Sequence, residues 1–94
     1  MLTSSEFKKK YNLVGNSGAK IDNLMITKSD DGSFNITYKE SKEPLAIIYF
    51  LNDKIMSNSS HVGLVDLTLK EFQFFVDAGI NLYVWSFNDK NLAN

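Results

Sequence analysis

The chain lacks several residue types on which common catalytic and binding sites depend. It has 94 residues and no cysteine, which excludes disulfide bonds, thiolate catalysis and thiolate metal sites. His61 is its one histidine and Pro44 its one proline. All ten basic residues are lysine, so no arginine supplies the planar bidentate contact that recognises phosphate or guanine. These absences argue against most classes of enzyme and against the strongest kind of nucleic-acid contact.

Long apolar segments and a strong net charge are also missing. The longest apolar run, Leu45 to Leu51, is far too short to span a bilayer. No apolar stretch precedes a small-residue cleavage site near the start, so we expect no signal peptide and a cytoplasmic location. A formal net charge of −1 provides no field that would steer the chain to nucleic acid or to a membrane.

The composition is that of a folded globular chain. Hydrophobic residues make up 44% and charged residues 22%, which separates the sequence from disordered ones. We predict a single domain over residues 1–94 with a frayed tail at 88–94. Aromatic residues, at 13%, are more numerous than a core of this size obviously needs.

One six-residue pattern, Leu-Thr-x-x-Glu-Phe, occurs at residues 2–7 and again at 67–72. In each copy the threonine suits a helix N-cap, and the glutamate three residues later completes a capping box. The residues that follow diverge, so we interpret the pattern as two helix starts rather than a structural repeat. It predicts a short helix over 4–12 and a second over 69–78.

Residues 20–51 carry the signals of a β-meander. Phe34, Ile36 and Tyr38 alternate with polar residues, which indicates a half-buried strand after the turn signal "SDDG". The run "LAIIYFL" is apolar on both faces and predicts a central strand. We expect residues 52–66 to form a polar loop, with room for a short strand near Val62 to Val65.

A last strand is predicted over 80–87, after Gly79 ends the second helix. The resulting order is α-β-β-β-α-β. We therefore predict a small two-layer α+β domain, mostly an antiparallel meander with one parallel crossover through the second helix.

The candidates for chemistry are weak. We interpret His61 as an exposed loop residue because no nucleophile elbow or orienting acid accompanies it. Asp30 and Asp31 fit turn chemistry, and "SDDGS" is too short for a calcium loop. We expect no enzymatic activity, no metal site and no cofactor.

Apolar side chains in unexpected places are more informative. On a helical wheel Leu69, Phe72, Phe75 and Val76 share one arc, and Phe74 lies in the opposite, polar arc. In the last strand Tyr83, Trp85 and Phe87 share one face. We predict that Phe74, Tyr83, Trp85 and Phe87 form a protein-binding surface, because aromatic residues anchor interfaces. Two structural alternatives are that residues 52–66 cover Phe74 and that the first helix covers the strand.

The leading hypothesis is a small non-enzymatic protein that inhibits or sequesters a protein partner. It would be of the inhibitor or immunity type, such as a phage or mobile element encodes. A first alternative is a nucleic-acid-binding or transcription-regulatory module that uses Lys8, Lys9 and Lys10. A second is a homo-oligomeric structural subunit whose aromatic strand is buried against its own copy, so the possible partners include the chain itself.

Overall fold

The described part of the chain contains two helices and seven strands. A computed structural model describes residues 2–15, 18–39, 41–59, 66–80 and 86–87, and only the backbone of Ser59, Ser86 and Phe87. In chain order the elements are α1 (Ser4–Lys10), β1 (Ala19–Ile21), β2 (Leu24–Lys28), β3 (Phe34–Tyr38), β4 (Ala46–Leu51), β5 (Lys54–Ser59), β6 (Asp66–Leu67), α2 (Leu69–Asp77) and β7 (Ser86–Phe87).

Strands β1 to β5 form one antiparallel sheet in which each strand pairs with its neighbour along the chain. The turn between β4 and β5 is Asn52-Asp53, and both residues have positive φ, 52° and 62°. Two such residues make a type I′ turn, whose twist matches that of the strands it joins. The predicted meander is confirmed for β2, β3 and β4, and β1 and β5 extend it.

The prediction of a loop over 52–66 is wrong for β5. The segment "KIMSNS" pairs along its whole length with β4. Its sequence has too few apolar residues to show an alternating pattern, so the pairing with an apolar neighbour decides its conformation. The short strand expected near Val62 to Val65 lies outside the described residues.

The parallel connection also differs from the prediction. We expected the last strand to follow the third predicted strand, now β4, through the second helix. In the described residues β7 pairs in parallel with β6, which immediately precedes α2. Residues 81–85 of the predicted last strand, and the tail at 88–94, lie outside the described part.

The core lies between the two helices and one face of the five-stranded sheet, called here the inner face. Its helical contribution is aromatic, and the strands contribute Phe34 and aliphatic side chains from alternate positions. The buried apolar residues are Phe7, Leu13, Leu24, Ile26, Phe34, Ile36, Leu45, Ala46, Ile48, Leu67, Phe74, Phe75, Ala78 and Ile80. The described part is therefore a compact α+β arrangement of a five-stranded sheet, a short β6–β7 pair and two helices.

Both predicted capping boxes are present, with Thr3 and Thr68 as N-caps. Each helix start is also attached to a hairpin turn. In α1, Ser4 Oγ donates to Asp53 Oδ1 at 2.8 Å, in the β4–β5 turn. In α2, Glu71 Oε2 accepts from the backbone N–H of Asn23 at 2.6 Å, in the β1–β2 turn. These bonds fix where the two helices lie over the sheet.

The predicted inner face of α2 is wrong by part of a turn. Leu69 and Val76, expected to face the core, are each 51% exposed, and Phe72 is half-buried. Phe75 is buried, as predicted. Glu71, which the helical wheel placed on the outer, polar side of α2, is buried as well. Its hydrogen bond from Asn23 N in the β1–β2 turn draws that side of the helix inward.

Candidate protein-binding surface

The outer face of the five-stranded sheet, opposite the helices, carries exposed apolar side chains. The exposed fraction is 44% for Met25, 37% for Tyr49, 56% for Leu51 and 39% for Met56, and Ile47 is half-buried. Four of these residues belong to β4 and β5, and we call Ile47, Tyr49, Leu51 and Met56 the apolar strip. Contiguous apolar surface of this kind on a folded chain marks an interaction site more often than scattered residues do.

The hairpin register assembles the apolar strip. Tyr49 is directly opposite Met56, and residues paired in this way have adjacent side chains on one face. Ile47 and Leu51 lie two residues to either side of Tyr49 on β4, so alternation places all three on the same face. The strip is thus set by backbone pairing on a regular sheet, which makes it a preformed surface.

The charged residues at outer-face positions of the strands are all lysines. Lys20 on β1 and Lys54 on β5 occupy such positions, since they pair with Met25 and Leu51. The outer-face positions of the five strands contain no aspartate or glutamate. The strand positions of this face are therefore apolar on β4 and β5 and carry only positive charge, although the whole chain has a net charge of −1.

A groove of about 760 Å³ adjoins the strip at the β2–β3 turn. Its walls combine Tyr49 with polar side chains, among them Asn35, Asn58 and Asp31. Asp31 accepts hydrogen bonds from the Ser33 hydroxyl at 2.6 Å and the Ser33 backbone N–H at 2.9 Å. These bonds hold the pKa of the Asp31 carboxyl below its usual value. Asp31 therefore serves the turn, as the sequence indicated.

Phe74 does not belong to an exposed surface, and its prediction as a contact residue is wrong. Its side chain is 0% exposed. The Phe74 ring lies 5.4 Å from that of Phe7 and 4.9 Å from that of Tyr11, between centroids. The reason is the rotation of α2 described above, and α1 supplies the aromatic partners. Residues 60–65 of the segment expected to cover it lie outside the described part.

The side chains of the other three predicted contact residues lie outside the described part of the chain. Tyr83 and Trp85 lie outside the described residues, and Phe87 is described only by its backbone in β7. His61 also lies outside them. Their predicted roles stay predictions.

The three lysines of α1 are partly engaged within the molecule. Lys8 Nζ lies 4.5 Å from the centre of the Phe50 ring, a cation–π distance. Lys10 Nζ lies 2.6 Å from Asp77 Oδ2 and forms an ion pair with it. Lys9 is exposed. The structure therefore does not bring the three charges together as one exposed basic surface.

Lys10 is part of a polar clasp between the two helices, defined here as Lys10, Tyr11, Gln73 and Asp77. The Tyr11 hydroxyl donates to Asp77 Oδ2, and Gln73 Nε2 donates to Asp77 Oδ1 at 2.9 Å. Burial, followed by the bond to the carboxylate, raises the pKa of Tyr11 well above its ordinary value. Burial alone would raise the pKa of Asp77, but the hydrogen bonds from Lys10, Tyr11 and Gln73 outweigh it and lower that pKa.

Sequence reasoning missed the apolar strip because it assumed that both faces of "LAIIYFL" are buried. A signal was present, since β4 has apolar residues at outer-face positions while its neighbour β3 has Asn35 and Thr37 there. A polar neighbour on the same face indicates that the face is open to solvent.

Neither a metal cluster nor a membrane-spanning helix is found in the described ranges. Within residues 2–15, 18–39, 41–59, 66–80 and 86–87, no group of three or more acidic or histidine side chains could hold a metal ion. The helices of this part are too short and too polar to cross a bilayer.

Comparison of the chain with models of known protein families, with curated protein sequences and with solved structures found no match.

Proposed function

We propose that the chain is a small, non-enzymatic cytoplasmic protein that binds a protein partner through the outer face of its sheet. The apolar strip carries this proposal. Tyr49, Leu51 and Met56 are exposed on a preformed surface, and large apolar residues at the centre of an interface supply most of the binding free energy. Tyr49 is the expected anchor, because a tyrosine buries a large area and loses little conformational entropy on binding.

The charge pattern indicates the kind of surface that the partner presents. Lys54 pairs with Leu51 of the strip, Lys20 lies at the β1 edge of the same face, and the strand positions of this face carry no acidic residue. A complementary partner has an apolar centre with aspartate or glutamate at its rim. Binding of this kind occludes the partner's own surface, which is how an inhibitor or immunity protein acts.

The experiment compares variants on and off the strip. Tyr49→Ser and Met56→Ser change the strip, and Val76→Ser is the control because Val76 is an apolar residue that is more exposed than either but lies on α2. Each purified protein is used as bait in an extract of the cells that produce it. We expect a partner that is retained by the wild type and by Val76→Ser, with affinity reduced about tenfold or more, or about 1.4 kcal/mol, by each strip variant.

Calorimetry on the purified partner then measures the dissociation constants directly. If the partner has an enzymatic activity, the wild type should suppress it and Tyr49→Ser should not. Equal binding by all four proteins, or the absence of any partner that distinguishes them, would contradict the proposal.

The nucleic-acid alternative has weaker support. Of its three lysines, Lys8 lies over Phe50 and Lys10 is paired with Asp77. A salt titration against duplex DNA separates the two functions. Binding driven by phosphate contacts falls steeply as salt rises, whereas binding by the apolar strip does not.

A further inference from the structure

The two edges of the five-stranded sheet are protected to different degrees. The β1 edge is three residues long and has Lys20 at its middle. The β5 edge is six residues long, and its sequence from Ile55 to Ser59 has no charge, no proline and no glycine. Natural proteins block exposed edges with short strands, lysine, proline or bulges, because an open edge pairs with other strands. Of the two, β5 is the edge without these devices.

The hairpin register identifies which backbone groups of β5 point outward. In a two-residue hairpin the pair next to the turn, here Leu51 and Lys54, exchanges both hydrogen bonds, and hydrogen-bonded pairs then alternate along the strands. The backbone groups of Met56 and Asn58 therefore face β4. Those of Ile55, Ser57 and Ser59 face away from the sheet, and among the described strands only β4 pairs with β5.

We propose that β5 pairs in an antiparallel manner with β5 of a second copy of this chain. A two-fold axis at Ser57 would place Ser57 opposite its copy and Ile55 opposite Ser59 of the copy. This register uses all three outward-facing residues, and it keeps the inner faces of both sheets on the same side. The result is one continuous sheet in which each copy retains its own helices and core.

The charges of the strand favour a second copy as the occupant. The single charged residue of β5 is Lys54, at the end next to the turn. In an antiparallel pair the two copies of Lys54 lie at opposite ends, so no like charges face each other across the new pairing. The strand is therefore compatible with itself, which an edge strand bearing internal charges of one sign is not.

The paired arrangement also enlarges the outer face. Met56 is on β5 and belongs to the apolar strip, so the two strips would become neighbours across the junction. The dimer would present one extended apolar surface with two copies of Tyr49. The pairing itself does not depend on the proposed partner of the strip, because it uses backbone groups at the edge.

The first test is the mass of the wild-type chain in solution. A single paired strand is a small interface, so we expect weak association, with the mass rising from one chain toward two between about 1 and 300 μM. Sedimentation equilibrium or light scattering measures it. A mass of one chain over this whole range overturns the proposal.

Proline substitution at outward-facing positions then locates the interface. Ser57→Pro removes an N–H that points away from β4, a position where edge strands tolerate proline. Lys20→Pro is the matched control, since Lys20 lies one residue before the pair that closes the β1–β2 turn and its N–H also points outward. We expect Ser57→Pro to remain a monomer while Lys20→Pro dimerises like the wild type. A folded Ser57→Pro with an unchanged dimer mass overturns the proposal.

Hydrogen exchange on the wild type provides a measurement that does not depend on any variant folding. Protection of the Ser57 amide should increase with protein concentration, by about tenfold or more across the dimerisation range, and that of Lys20 should not. A dimer formed by stacking of the apolar strips would leave the Ser57 amide unchanged. That outcome, or exchange at Ser57 that is independent of concentration, also overturns the proposal.

Discussion

Glu6 and Glu71 occupy the same position of the same six-residue pattern, yet their carboxylates have different surroundings. Glu6 is exposed, and its carboxylate accepts from the N-cap of its own helix, at 2.9 Å from Thr3 N. Glu71 is 0% exposed, and its second oxygen accepts from Asn23 N in another element. The first glutamate is a local cap, and the second also joins α2 to the β1–β2 turn.

Substitution by glutamine should distinguish the two glutamates. A capping box accepts glutamine, so Glu6→Gln should change the free energy of unfolding by less than about 0.5 kcal/mol. Glu71→Gln replaces one of two acceptor oxygens by a donor that faces a backbone N–H, in a buried site. We expect a loss of about 1–3 kcal/mol. Urea unfolding of both variants measures the difference, and equal losses would show that the bond to Asn23 contributes nothing.

At the scale of the element, the orientation of α2 determines which aromatic residues are structural. Phe74 packs against Phe7, Tyr11 and Phe75, whereas Val76 is half exposed. A seven-residue α1 cannot be stable alone, so its contact with Phe74 is a large part of what keeps it in place.

Truncation of Phe74 and of Val76 to alanine, in separate variants, tests this orientation of α2. Phe74→Ala should reduce the free energy of unfolding by about 3–5 kcal/mol, because it leaves a cavity among aromatic rings. Val76→Ala should change it by no more than about 0.5 kcal/mol. Thermal or urea unfolding gives both values. A larger loss for Val76→Ala than for Phe74→Ala would restore the helix face that the wheel predicted.

The sequence predicted those elements whose own residues show a hydrophobic alternation or a helix capping box. Both helix starts follow from the capping boxes, and β3 follows from the alternation of Phe34, Ile36 and Tyr38. Strand β5 was missed because its conformation depends on pairing with β4, which lies outside its own sequence. The apolar strip was missed for a related reason, since exposure of the β4 outer face depends on what lies over the sheet and not on β4 itself.

At the scale of the whole molecule, the polar clasp joins residues far apart in the chain. Tyr11 and Asp77 are separated by 66 positions, and the clasp holds α1 against α2. The lowered pKa of Asp77 means that folding favours its ionised form. The resulting stability is present above the unfolded-state pKa, about 3.9, and is lost as the pH falls through the lower, folded-state pKa.

Acid titration of stability tests the clasp. The wild-type free energy of unfolding should fall as the pH drops below about 4. Asp77→Asn should be less stable than the wild type at pH 7, by about 1 kcal/mol, and should lose less stability on acidification. Tyr11→Phe, which removes one of the three donors, should lie between them. Identical acid-unfolding curves for the wild type and Asp77→Asn would contradict the role given to Asp77.

Each strand of the five-stranded sheet pairs with its neighbour along the chain, and this affects the order in which the chain folds during synthesis. Strands β1 to β5 pair with segments made immediately before or after them, and contacts of this local kind form quickly. Helix α1 is made before the other described elements, but Asp53, which holds Ser4, follows 49 residues later. Its aromatic neighbour Phe74 is made later still. Of the described elements, α1 leaves the ribosome earliest, yet it is among the last to be held in place, after the sheet on which it rests has formed.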